Sequence, residues 1–250
     1  TCLLLFGVPG IIIIAVQLAS MPVFAAGVIN GLGHHSGYRN FECDDAATNI
    51  VPWGLLIGGE ELHNNHHAFP TSAKFSVRKW EFDIGWFYIR LLSAIGLAKV
   101  NRVAPHPVID DAPDAEPDVD NLKAIIVNRM HVLRDYTKQV TLPVLRSEKE
   151  KALAKGSRAY RRARVLLVRR PSLLDDSAQE RLGRLLANNP ALKTVHEFRE
   201  KLSEIWSGAN VSNEKLLQQL RDWCREAEAS GIEVLEEFAA RIRAYQLSQA

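Results

Sequence analysis

The sequence predicts an all-α protein in two parts, a membrane-embedded helical portion followed by a soluble helical tail. Three observations predict it. No Lys, Arg, Asp or Glu precedes Arg39, and residues 2–29 are almost wholly apolar. Three of the 8 histidines fall within five residues, as His63-Asn64-Asn65-His66-His67, at spacings that suit one face of a helix. From residue 120 onward, apolar side chains recur at helical intervals between charged ones.

A helix needs about 20 apolar residues to cross a bilayer. The N-terminal run therefore gives one span and the stub of another, divided at Pro9-Gly10, with the span expected over about residues 10–33. A cleaved signal peptide does not fit, because the basic leader is missing and the run is too long. Residues 36–70 read as a loop and a short apolar segment, 50–57, with the histidine cluster at its end. Trp53 there suits a membrane interface or the underside of the histidine cluster, with an ordinary buried aromatic as the preferred reading. Over about 81–100, dense apolar positions around Asp83 and Arg90 suit a helix lying along the membrane surface, with Trp86 and Tyr88 at the headgroups.

Residues 104–120 carry four prolines and six acidic side chains. They place a linker at 108–120, between a membrane portion ending near residue 107 and a helical cytoplasmic tail over 121–250. Leu122, Ile125, Ile126, Met130 and Leu133 form one stripe, with Asp120 as N-cap, and Pro143 interrupts it. Residues 146–170 hold ten Lys or Arg against Glu148 and Glu150. Such a run attracts anionic headgroups or is simply a solvated basic helix. Apart from Tyr160 it lacks the interleaved aromatics that would favour nucleic acid, so no nucleic-acid partner is expected.

Four short helices follow, at about 175–187, 191–206, 212–229 and 232–247, with Asn188-Asn189-Pro190, Gly208 and Gly231 at their ends. They show no catalytic constellation and read as a small packing or docking module. Cys2, Cys43 and Cys224 are too scattered for a zinc or redox pair, and their odd count suits a reducing compartment. The Lys and Arg after the span place the histidines and the tail on the cytoplasmic side. The net charge of +2 discriminates little.

Neutral imidazole is a common metal ligand, because one ring nitrogen donates while the other is held by a neighbour. His63, His66 and His67 can grip a transition metal from one side. Upstream, Asn30 and His34 form an i, i+4 polar pair at the mouth of the span, where polar groups are costly unless used.

Taken in order, these motifs resemble the integral-membrane fatty acid desaturases of the acyl-CoA delta-9 type. The matching residues are Asn30-x-x-x-His34, Gly37-Tyr38-Arg39, Asn49-Ile50-Val51, Gly59-Glu60-x-x-His63-Asn64-x-His66-His67 and Phe69-Pro70. Trp80-Glu81-Phe82-Asp83 and Gly96-Leu97-Ala98 continue the match. The resemblance is dense to about residue 107 and thinner to about 145, where Asn128-Arg129-Met130-His131-Val132-Leu133-Arg134 looks like a bacterial version.

The resemblance implies a di-iron centre with His34, His63, His66 and His67 as ligands, Asn30 reaching a metal through water and Glu60 orienting a ligand from behind. No catalytic residue beyond the metal ligands is implied. His35 replaces the family's usual aromatic, points about 100° from His34 on a helix, and is not counted as a ligand. The two earlier histidine boxes of the family are missing, and the chain opens at Thr1 inside an apolar run. It is therefore expected to be the C-terminal fragment of a longer protein, inactive alone, whose two iron ions are completed by histidines outside this sequence. The implied partners are a fatty acyl chain on CoA or lipid, dioxygen, membrane lipid, and an external electron donor of ferredoxin, rubredoxin or cytochrome b5 type. The implied setting is the bacterial inner membrane. A membrane hydroxylase or ketolase with a similar cage is the neighbouring enzyme, and a non-catalytic anchor with a helical interaction tail is the alternative from another class.

Overall fold

The structure is a computed structural model describing residues 2–110, 116–151, 157–207 and 211–247. The side chains of Ala25, Ala26, Lys151 and Ser157 are not described. Part of the expected linker (111–115), part of the basic run (152–156) and the helix-end signal at Gly208 lie outside the described residues. Two compact units result, Thr1–Ala104 and Pro105–Ala250. The architecture is all-α: among the described residues the four strands are two residues each.

In the N-terminal unit, α1 (Cys2–Phe6) turns back at Gly7 into α2 (Pro9–Pro22), which continues as a π-helix, Val23–Leu32. Pro22 supplies no N–H to the ladder, and the helix widens to i→i+5 bonding immediately after it. Pro9–Leu32 is 24 residues long with mean hydropathy 2.2, long and apolar enough to cross a membrane. It buries almost nothing against the unit. Leu18 is 65% and Met21 65% exposed, as a lipid-facing helix would be.

The chain then runs irregularly to β1 (Trp53–Gly54), a 3₁₀ turn at Glu60–Leu62 and α3 (His63–Ala68). β2 (Phe82–Asp83) pairs in parallel with β1, Trp53 opposite Phe82. α4 (Ile84–Ala94) is shorter than the helix expected over 81–100. Asp83 caps it by accepting from the Trp86 amide at 2.9 Å, and Gly96, at φ 75°, follows its C-terminal end. Nothing on α4 is buried; Phe87, Tyr88 and Leu91 are all about half exposed. Trp53 is 61% exposed and not the buried aromatic expected, because the β1–β2 pair leaves its face of the ribbon uncovered.

The C-terminal unit holds a continuous apolar core. β3 (Val108–Ile109) precedes α5 (Val119–Val127), α6 (Arg129–Tyr136) and a π-turn, Thr137–Thr141. α7 (Leu142–Lys151), α8 (Ser157–Val168), α9 (Asp176–Ala187) and α10 (Pro190–Glu204) follow. α11 (Asn213–Glu228), α12 (Glu233–Arg243) and β4 (Tyr245–Gln246) complete the unit.

The N-cap of α5 is Asp118 and not Asp120. Asp118 accepts from the Asn121 amide at 2.8 Å, and Asn121 returns the bond from its side chain in a capping box. Pro143 does not break the rod. It falls in the first turn of α7, directly after a π-turn whose wider ladder accommodates a residue without an N–H. The chain leaves helix at Arg243, short of residue 247, because β4 pairs antiparallel with β3 and ties the two ends of the unit together. Tyr136, Phe198, Trp223 and Phe238 pack edge-to-face at its centre, with Tyr136 and Phe238 centroids 5.0 Å apart.

Candidate metal centre

The interior of the N-terminal unit is polar. Beside Phe41, Ala47 and Leu62 it buries Asn40, Asn49, Glu61, His63, Asn64, Asn65 and Glu81. Buried polar groups are tolerated only when bonded, and here their bonds fasten two separate histidine-bearing segments together.

The splint is residues 47–50. The Thr48 amide and hydroxyl both donate to the Gly33 carbonyl, at 2.6 and 2.9 Å, satisfying an acceptor at the end of the π-helix next to His34. One residue on, the Asn49 side chain accepts from the Asn65 amide at 3.1 Å and donates to Asn65 Oδ1 at 3.1 Å. The Ile50 amide donates to the Glu61 carbonyl at 2.8 Å, just before the cluster. Gly37 permits this crossing. Its φ of 153° and the 2.1 Å from a built Cβ to the Asn49 carbonyl leave no room for a side chain.

The asparagines inside the cluster anchor it. Asn64 Oδ1 accepts from the amides of Asn40 and Phe41, and its Nδ2 donates to the carbonyls of Phe41 and Ala47. Asn65 Nδ2 donates to Glu81 Oε2 at 2.9 Å. Glu81 also accepts from Tyr38 Oη, Asn40 Nδ2 and the amides of Val77 and Arg78. Burial, then the Glu81 carboxylate, lifts the Tyr38 phenol well above its ordinary pKa, so it acts here as a donor. The motif Trp80-Glu81-Phe82-Asp83 thus closes the back of the site with Glu81 and starts α4 with Asp83.

So held, His34 meets the cluster. His34 Nε2 and His63 Nε2 stand 3.0 Å apart. Ligand atoms of His34, His63 and His67 lie within 4.8 Å of one another, the single such group among the described residues. The rings of His63 and His67, four residues apart on α3, are 4.2 Å apart by centroid. His66 is set off from the group, 6.4 Å from His63 and 5.7 Å from His67, and rests on the Phe75 ring at 4.6 Å. His67, one turn on from His63, tilts its ring against that of His63, while His66 turns to Phe75. Gly33 lets His63 approach, since a Cβ there would sit 3.0 Å from His63 Cδ2.

These donors fit a metal. Burial, then the rings of His63 and His67, lowers the His34 pKa, and burial lowers that of His66; both favour the neutral ligand form. Nδ1 of His63 and of His66 are buried without a hydrogen-bond partner. Two nitrogens 3.0 Å apart also match the edge of a coordination shell, since metal–imidazole bonds of about 2.1 Å at a right angle span roughly 3 Å.

The remaining expected residues lie as follows. Asn30 is exposed on the π-helix, four residues before His34. Glu60 Oε2 is 3.9 Å from His63 Nδ1, beyond hydrogen-bond range, though the His63 ring holds its carboxyl below the ordinary pKa. His35 is exposed and turns to Ser36 Oγ at 3.1 Å, away from the group.

The orienting carboxylate that sequence reasoning missed is Asp45. Its Oδ2 lies 2.5 Å from His67 Nδ1. Burial opposes its ionisation, but the Ala47 amide and His67 bring its pKa below the ordinary value. That bond keeps a proton on Nδ1 of His67 and leaves Nε2 free to bind. No spacing rule links residues 45 and 67; only the loop brings them together.

Comparison with known proteins gives two kinds of match. It is 44% identical over 71 residues, 28% of this chain and 25% of the relative, to an sn-2 palmitoyl-lipid 9-desaturase of Nostoc sp. (strain 36). It is 38% identical over 80 residues, 32% of this chain and 26% of the relative, to the delta-9 acyl-lipid desaturase 2 of Arabidopsis thaliana. With the icosanoyl-CoA 5-desaturase of Limnanthes douglasii it shares 46% identity over 70 residues, 28% of this chain and 20% of the relative. The chain thus spans about a quarter of the length of the curated relatives it matches. No solved structure matches it. A family model described as a transposase, of the DDE type named ISL3, matches residues 120–248. By that match, which covers just over half of its length, the chain belongs to the ISL3 transposase family.

Proposed function

We propose that the N-terminal unit is part of a fatty acyl desaturase, and that His34, His63 and His67 hold one iron of a di-iron centre while His66 faces the second. The observation that carries this reading is the 3.0 Å approach of His34 to His63 across 29 residues, in a chain 44% identical over 71 residues to a desaturase. When bound, the irons supply the activation of dioxygen that removing hydrogen from an unactivated methylene requires. The protein's own groups do the rest. Asp45 fixes the His67 tautomer, Asn64 and Asn65 fix α3, and Thr48 fixes the His34 segment. Glu60 lends negative charge beside His63, and Asn30 would reach a bound metal through water. The apolar Pro9–Leu32 helix and the exposed α4 support a site beside lipid, where an acyl chain is available.

The ring nitrogens gathered at this site are too few for two irons. In this reading the centre is completed by histidines of an intact parent, and this chain alone turns over nothing. Electrons come from an external carrier, the substrate is an acyl-CoA or acyl-lipid desaturated in the delta-9 manner, and the site faces the cytoplasm of a bacterial inner membrane. Product analysis of the intact parent tests the reaction: a double bond supports it, and an alcohol or ketone assigns a related oxygenase. Metal analysis separates both from a membrane anchor, which carries no stoichiometric iron. His66→Ala in the parent should abolish turnover, and normal turnover would remove His66 from the ligand set.

The family of residues 120–248 favours a second reading for that half, in which its helices are a transposase-derived scaffold. A transposase acts on DNA, which runs against the expectation of no nucleic-acid partner. A gel-shift titration of the chain with duplex DNA tests it, and binding no stronger than that of a neutral protein would refute it.

A further inference from the structure

Helices α8 and α9 of the C-terminal unit enclose an open groove of about 840 Å³. Its rim carries Arg158, Arg161 and Arg162 from α8, Arg169 just beyond its end, and Arg181 from α9. The one carboxylate there, Asp175, is engaged with the first turn of α9, accepting from the Ala178 amide at 2.7 Å and from Ser177 Oγ at 2.6 Å. The floor is apolar, formed by Leu166, Leu174 and Ala178, and Val165 stands 53% exposed among the arginines. Five guanidiniums around a greasy floor cost self-repulsion, which Asp175 beside Arg181 offsets only in part.

We propose that this groove binds an anionic phospholipid, with the arginines on the phosphate and the floor against the glycerol and first methylenes. Guanidinium forks match phosphate oxygens two at a time. The apolar floor, however, has no use for a free phosphate. A single-stranded nucleic-acid track would instead interleave aromatic platforms with the basic residues, and a duplex would meet the guanidiniums through its phosphates and leave the apolar floor unused. Tyr160, the aromatic residue of α8, lines a different cavity beside Leu145 and Leu192, with the Lys149 ammonium 5.3 Å above its ring. Amphiphile chemistry also suits a chain that carries a 24-residue apolar helix. The proposal concerns the C-terminal unit and does not depend on the desaturase reading.

The test titrates the full chain, in non-ionic detergent, with short-chain phosphatidylglycerol and with phosphatidylcholine of the same length, by calorimetry. Saturable phosphatidylglycerol binding, at least tenfold tighter than phosphatidylcholine, is expected. R161Q and R181Q, one on each wall, should each weaken it about tenfold, giving independent readouts should one variant misfold. R164Q removes the same charge from α8 outside the groove and should change affinity less than twofold. Equal weakening by R164Q would reduce the effect to diffuse charge and overturn the groove. Full competition by equimolar inorganic phosphate would make it a phosphate site. Tighter, Arg161-dependent binding of a single- or double-stranded oligonucleotide would make it a nucleic-acid site.

Discussion

A single carboxylate decides how His67 presents itself. With Asp45 Oδ2 on Nδ1, the imidazole cannot flip its tautomer without losing a charge-assisted bond. In the proposed desaturase, Asp45→Asn should therefore cost roughly 10–100-fold in iron affinity, read as metal retained after dialysis against a chelator, with the unfolding midpoint nearly unchanged. Iron retention equal to wild type would remove Asp45 from this role. His35→Tyr should leave both iron content and turnover intact, because His35 faces Ser36 and not the group. The four histidines could be named from spacing and resemblance. Asp45, Thr48 and Glu81 could not, because their partners lie 22, 15 and 16 residues away across loops that have no period.

Among the elements, the ends are where sequence reading erred. Asp120 and Asp118 are both N-cap residue types two positions apart, and only the backbone shows which one is extended. Asp118 has φ −113° and ψ −175°, whereas Asp120 is already inside α5 and pairs with Lys123 at the surface. Asp118→Ala should cost about 1 kcal/mol, while Asp120→Ala should stay within about 0.5 kcal/mol. Urea denaturation of the two variants checks this, and equal losses would contradict the assignment. Gly37→Ala should do more damage than either, because it places a methyl group into the Asn49 carbonyl that joins the two histidine segments. The expected signature is loss of metal binding together with stability, followed by iron content and far-ultraviolet dichroism.

At the scale of the molecule, the two units are held by different physics. The C-terminal unit rests on an apolar core centred on Tyr136, Trp223 and Phe238. Trp223 lies almost fully buried and donates from its indole to the Phe198 carbonyl at 2.9 Å. Trp223→Ala should cost about 3–5 kcal/mol. Burial, then the Arg134 charge, pushes the pKa of His131 down to about 4 from an ordinary 6.5. The unfolded chain then takes up a proton before the folded one does. The contribution of His131 to stability should be constant above about pH 7 and fall as the pH drops from about 6.5 to about 4, by at most about 3 kcal/mol. His131→Leu should flatten that slope in a series of urea midpoints against pH; an unchanged slope would exclude His131 as its source.

The sequence by itself determined the helical class, the membrane-length apolar helix, the histidine pattern and the kinship to desaturases. Each of these is local or periodic, and so can be read along the chain. It did not show that the C-terminal half belongs to a transposase family, since amphipathic helices with ordinary cores carry no chemical signature. Tertiary structure alone decided that His34 joins His63 and His67 while His66 stands apart. It also decided that residues 47–50 splint the two segments, and that arginines from two helices face one another over an apolar floor. Such contacts depend on where loops return the chain, and no spacing rule encodes that.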